Sequence, residues 1–136
     1  MIAQLELIAV VLANLTFSRY LIDQRVIYFE DNTVALSPMI HGYAKRVDMA
    51  RVSNMYHLQN FFLRVDAWHE WVPSAANIVD VPSRPRWEGC RDMWQPLWDL
   101  GARQVDMKTP TPGPQWDDLT RWCREACDTS PTRSET

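Results

Sequence analysis

Apolar residues recur every three or four positions through the opening segment Ile2–Leu15, a spacing that predicts a helix. Its expected buried face is Leu5, Ile8, Leu12 and Leu15. Ile2, Ala9 and Ala13 share a neighbouring stripe with Glu6, so Glu6 is expected on an edge of small side chains that can approach a sheet closely. Arg25–Glu30 is a β-branched and aromatic run of strand length. Asp31 and Asn32 follow it and can cap a short helix over Thr33–Ile40, with Gly42 as its expected end. His41–Arg46 reads as a basic loop, after which Asp48 is expected to cap a helix over Met49–Arg64. Met49, Val52, Met55, Tyr56, Phe62 and Leu63 recur there at helical spacing. Ala67–Val72 is the second expected strand, and Pro73 stops it.

Ser74–Asp80 is expected to be a short helix, closed by Pro82 because proline cannot continue a helix interior. The pattern then changes. Seven of the nine prolines and five of the seven tryptophans fall between Pro82 and Pro131, which separates this part from the preceding alternation of strands and helices. Here the expectations are a helix over Trp87–Leu100, a short strand over Gln104–Met107, and a proline-set loop over Thr109–Pro114. A final helix over Trp116–Cys127 and a frayed tail over Asp128–Thr136 complete the chain. Two strands joined by helical crossovers imply a parallel pair, hence an α/β class.

Composition narrows the functional classes. Fourteen Lys and Arg against 17 Asp and Glu give a formal net charge of −3, which excludes a chain that grips nucleic acid by bulk charge. A local basic patch stays open. With 46% hydrophobic and 23% charged residues, the 136-residue chain can bury a core. Three cysteines are too few and too oddly numbered for a disulfide framework, which points to a reducing, intracellular setting, cytoplasmic or nuclear. The apolar run Leu7–Leu15 is far shorter than the roughly 20 residues that cross a bilayer, and no signal-peptide pattern is present. No membrane partner is expected.

The candidate chemistry is acidic. Glu6 on the first helix, Asp31 at the end of the first strand and Asp80 after the second strand are expected at the carboxyl edge of the sheet. Open α/β sheets bind ligands at that edge. Three carboxylates meeting there repel one another and lose solvation, a penalty that Mg²⁺ or Mn²⁺ would remove. His41, Lys45, Arg46, Arg51, Arg84 and Arg86 can contact phosphates, with a solvated basic loop as the plainer reading. Asn32 and Asn77 can orient the loop ends or meet a minor groove, where 2′-hydroxyls mark RNA. Cys123 and Cys127 are expected as small half-buried residues and His57 and His69 as packed or surface histidines. Trp87, Trp94, Trp98, Trp116 and Trp122 are expected in a small accessory core, the alternative being a stacking platform for single strands.

Three segments in order carry a family resemblance: Gln4–Val10, Ile27–Leu36 and Trp71–Arg84. Together they resemble the ribonuclease H domain of retroelement reverse transcriptases, over about residues 1–86. The most specific piece is Val72–Arg84, which follows the family's Val-Pro-x-x-x-Asn-x-x-Asp-x-x-Ser-Arg pattern. The resemblance implies a five-stranded mixed sheet flanked by helices and two-metal cleavage of the RNA strand of RNA–DNA hybrids. It implies that Glu6, Asp31 and Asp80 are three of the four metal-binding, catalytic carboxylates; Asn32, His41, Lys45, Arg46, Asn77 and Arg84 are the candidate nucleic-acid contacts beside them. The fourth carboxylate belongs to a first strand that would precede Glu6. On this reading residues 1–86 are a truncated ribonuclease H-like domain lacking its first three strands, 87–127 a Trp/Pro-rich helical appendage and 128–136 a disordered tail. Little hybrid cleavage is then expected of this chain alone. Two other readings stay open: a non-catalytic nucleic-acid-binding remnant, and an interaction module that pairs with a partner chain through an exposed strand edge.

Overall fold

The computed structural model describes residues 2–80, 90–109, 121 and 123–125. The chain runs as α1 (Ile2–Thr16), a short α2 (Ser18–Leu21), β1 (Arg25–Glu30), α3 (Thr33–His41), α4 (Val47–Leu63) and β2 (Asp66–Trp71). A 3₁₀ turn (Ser74–Ala76) and α5 (Cys90–Asp99) follow. β1 and β2 pair in parallel, in a register that sets Arg25 opposite Asp66, Tyr28 opposite His69 and Glu30 opposite Trp71. A parallel pair needs a long crossover, and α3 with α4 supplies it. The α/β class holds at this level: helices packed on a two-stranded parallel sheet.

The core forms where α1 and α4 cross behind the sheet. Leu7, Val11 and Leu15 of α1 meet Met49, Met55 and Tyr56 of α4, with Met39 of α3 completing the cluster. Polar pins fix the register of these helices. Gln59 donates through Nε2 to the Val11 carbonyl at 3.1 Å, and Asn14 donates through Nδ2 to Asn60 Oδ1 at 3.1 Å. The Tyr28 hydroxyl then ties the sheet to both helices by donating to Asn14 Oδ1 at 3.0 Å, with Asn60 Oδ1 at 3.3 Å. Tyr56 lies edge-on to Tyr28, and its hydroxyl is 2.5 Å from His69 Nε2. His69 stacks on Tyr28. Burial holds the Tyr56 hydroxyl far above its ordinary range and holds His69 below its own. Both are therefore neutral donors and acceptors inside the fold.

Several boundaries and faces differ from the sequence expectation. The buried face of α1 is Leu7, Val11, Asn14 and Leu15, whereas Leu5 and Ile8 are exposed. The helix is apolar nearly all round, so periodicity alone does not select the face; the polar pins to α4 do. α4 starts at Val47 with Arg46 at its N-cap. Asp48 sits inside the first turn, its Oδ1 accepting from the Met49 N–H. Its end is set by Arg64, which takes the left-handed conformation at φ 53° and donates its N–H to the last carbonyls. Of the expected Ser74–Asp80 helix, Ser74–Ala76 is a 3₁₀ turn, Asn77–Val79 is not helical, and the chain is helical again at Asp80. Gln104–Met107 is irregular and exposed, not a strand, and the Lys108 N–H just after it donates to Thr16 Oγ1. The short α2 was not anticipated. Asn32 does cap α3, accepting from the Val34 and Ala35 N–H groups, and Gly42 closes it at φ 76°. Cys123 is fully buried, not half-buried, with its thiol against the Met55 carbonyl. Arg84, Trp87, Cys127 and the 128–136 tail lie outside the described residues.

No described residue covers the outer face of the sheet. Ile27, Phe29 and Trp68 share it, each about three-fifths exposed (58%, 65% and 64%). Parallel sheets normally have both faces covered. Among the described residues only the inner face, with Tyr28 and His69, is covered by helices.

Candidate acidic site at the end of the parallel pair

Strand alternation explains how the site is assembled. Val26, Tyr28 and Glu30 have the parity of the inner face, so the last residue of β1 turns a carboxylate toward α1. Asp31 follows where the strand stops and α3 begins. Glu6 comes from the first turns of α1, on the stripe shared with Ala9 and Ala13. Each of Glu6, Glu30 and Asp31 places a carboxylate oxygen within 4.8 Å of the other two. Glu30 is the most enclosed, 8% exposed, and Glu6 and Asp31 are half-buried.

The loop ends are braced by asparagines. The Asn32 N–H donates to Glu30 Oε1 at 3.1 Å while its side chain caps α3. Asn77 donates through Nδ2 to Asp31 Oδ2 at 3.3 Å, which ties the turn after β2 to the end of β1. The Val72 N–H, donating to the Glu30 carbonyl at 3.1 Å, brings that turn alongside. Asn77 and Asn32 thus orient the ends of the two strands.

Electrostatically the cluster is strained. Burial is the largest cause raising the Glu6 pKa; the Asn32 side chain offsets part of it and the Asp31 charge adds to it. Burial likewise raises Glu30 most; the Asn32 N–H opposes, and the charges of Glu6 and Asp31 push further up. Glu6 Oε2 is shut off from solvent and has no hydrogen-bond partner among the described residues. Buried carboxylate oxygens without donors are uncommon, and this one adjoins two other carboxylates. Such an oxygen set suits a hard divalent cation of the Mg²⁺ or Mn²⁺ type.

The structure therefore brings together Glu6 and Asp31 and adds Glu30, which the sequence reading passed over. The signal was present in the parity of Val26, Tyr28 and Glu30. Asp80 lies outside the three-carboxylate group; its N–H donates to the Asn77 carbonyl at 3.0 Å, one turn beyond the residue that touches Asp31.

The basic residues stand apart from this cluster. His41, Tyr43, Lys45 and Arg46 are exposed after α3. His41 Nδ1 lies 2.9 Å from the Ser37 carbonyl, and since a carbonyl only accepts, that nitrogen carries the proton. Arg46 pairs with Asp48 at 2.9 Å, and Asp48 also accepts from Gln4. His57 Nε2 bonds the Pro38 carbonyl at 3.1 Å, so both His57 and His69 are packed histidines, as expected. Of the five clustered tryptophans only the Trp98 side chain is described, and it is partly exposed. No helix among the described residues is long and apolar enough to cross a membrane. Comparison with protein-family models, with curated proteins and with solved structures gave no match, so the site's own geometry bears the functional argument.

Proposed function

We propose that residues 1–86 are part of a ribonuclease H-like domain of retroelement type, and that Glu6, Glu30 and Asp31 form the carboxylate wall of its metal site. The reading rests on one observation above all: Glu6 and Asp31, 25 residues apart, meet at the carboxyl end of a parallel strand pair. A divalent ion bound there would polarise a phosphate oxygen and lower the pKa of a water it holds. This chain's own residues supply the rest. Glu30 and the Asn32 N–H fix the end of β1, Asn77 orients Asp31, and the basic loop offers phosphate contacts that position a duplex without reading its sequence. Two of the carboxylates that the family resemblance implies, Glu6 and Asp31, belong to this wall, and Glu30 stands beside them where the resemblance would put Asp80.

The test is binding of a labelled RNA–DNA hybrid, measured by fluorescence anisotropy with Mg²⁺ and with EDTA. The expected result is tighter binding with Mg²⁺ and loss of that increment in Asp31→Asn. Equal binding in both buffers, or no binding, contradicts the proposal. Among the described residues β1 and β2 have only each other as neighbours, which favours a second reading, in which a further strand or chain completes the sheet along an edge. A concentration-dependent rise in mass by light scattering supports self-pairing of that kind, and a constant monomer mass removes it.

A further inference from the structure

Two open grooves lie beside α3, and they differ in chemistry. One, of about 560 Å³, is walled by Met39, Ile40, His57 and Trp68, with no lysine or arginine among the described residues of its lining. The other, of about 450 Å³, combines an apolar lining from Val34, Pro38, Ala44 and Met49 with Tyr43, Lys45 and Arg46. Both volumes fall in the about 300–1,000 Å³ range of small-molecule sites. Only the second offers an aromatic face and cations together.

We propose that this second groove binds one unpaired nucleotide of a nucleic-acid strand, its base against Tyr43 and its phosphate on Lys45 and Arg46. The inference rests on the nucleic-acid reading above and narrows it to a ligand unit. The Tyr43 ring is two-thirds exposed (66%) and is flanked by His41, with ring centroids 6.2 Å apart and planes at 63°. A ring held by a neighbour and presented to solvent is a stacking platform, which any base can use. Arg46 is already paired with Asp48, so it adds directed donors and little net charge. Lys45 supplies the positive charge. An acidic peptide would use the cations and leave the ring idle, while a purely apolar ligand would use the ring and leave the cations idle. A nucleotide uses both. Bases inside a duplex are stacked on one another and cannot reach Tyr43, which selects an unpaired one.

The placement agrees with the acidic cluster. The groove runs along α3 from Thr33, next to Asp31, to His41, and Tyr43 lies beyond the far end of that helix. Eight rises of 1.5 Å separate those ends by about 12 Å, the length of roughly three to four nucleotide steps of a duplex strand. A single-stranded flank adjoining a hybrid would then reach the groove while the hybrid lies over the carboxylates.

The experiment compares a blunt RNA–DNA hybrid with the same hybrid carrying a short oligouridine overhang, by anisotropy with the full chain. The overhang is expected to tighten binding roughly fivefold or more, the lower end of what one stacked base contributes. Tyr43→Ala is expected to remove that advantage and leave blunt-hybrid binding unchanged, whereas Tyr43→Phe keeps it. Equal binding of the two hybrids, or an advantage that survives Tyr43→Ala, overturns the groove assignment while hybrid binding itself stands. Binding to neither hybrid overturns the assignment and the nucleic-acid reading together.

Discussion

Glu30→Gln is expected to stabilise the metal-free protein, an unusual outcome for a substitution at a residue only 8% exposed. The change keeps the shape and keeps the acceptor for the Asn32 N–H, now 3.1 Å from Glu30 Oε1. It removes one of three negative charges whose oxygens lie within 4.8 Å of one another. At 4.8 Å and an effective dielectric of about 20, each like-charge pair costs about 3.5 kcal/mol before screening. Glu6 and Asp31 are half-buried, and solvent screening cuts this severely, so we take roughly 1 kcal/mol for the net gain. For a chain of this size that raises the melting temperature by about 3–5 °C.

The pH dependence gives the sharper test. Folding raises the Glu6 and Glu30 pKa values above the ordinary 4.5. A carboxyl shifted upward favours the fold fully below its unfolded value, and that contribution is lost as pH rises through the folded value. Wild type should therefore lose stability relative to Glu30→Gln as pH rises from about 4.5, and the gap should level off once both groups are ionised. Thermal melts followed by circular dichroism in EDTA, from pH 4.5 to 8, measure this. A pH-independent gap, or a Glu30→Gln protein less stable than wild type at pH 7.5, would refute the reasoning.

Three further outcomes follow from the same geometry. Tyr28→Phe removes the hydroxyl that donates to Asn14 and should cost about 1–3 kcal/mol in urea melts, because it leaves an enclosed amide oxygen short of a donor; a change below 0.3 kcal/mol would discount the network. Leu7→Ala, at a fully buried position in the α1–α4 core, should cost about 2–5 kcal/mol, whereas Leu5→Ala on the exposed side should cost far less. Equal losses would mean that α1 is rotated. Burial, with a smaller effect from His57, lowers the His69 pKa, so its contribution is present above the unfolded value near 6.5 and lost as pH falls below it. His69→Gln should flatten the acid side of the stability profile between about pH 6.5 and 5, and an unchanged slope would contradict this.

Much of the frame was legible in the sequence. Val26–Phe29 is β-branched or aromatic at every position, and Asn32 and Gly42 mark the two ends of α3 by cap chemistry that needs no tertiary context. Glu6 and Asp31 could be brought together because strand direction fixes which edge a strand's last residue occupies. The rotation of α1 was not legible: Leu5, Ile8, Leu7 and Val11 are equally apolar, and Asn14, the residue that settles the face, looks like a surface amide until Asn60 is opposite it. Glu30 was hidden for a related reason. An acidic residue ending a strand reads as solvated, and only the parity with Tyr28 turns it inward. The groove beside α3 depends on how the 42–46 loop folds back toward Val34 and Pro38, which no local pattern encodes.

The most direct test is Mn²⁺ binding by the chain itself, followed by electron paramagnetic resonance of the free ion. If Glu6, Glu30 and Asp31 form a metal site, wild type binds Mn²⁺, Glu6→Gln and Asp31→Asn each weaken it at least tenfold, and Leu5→Ala does not. Absence of binding by the folded wild type, or binding indifferent to Glu6 and Asp31, would contradict the account.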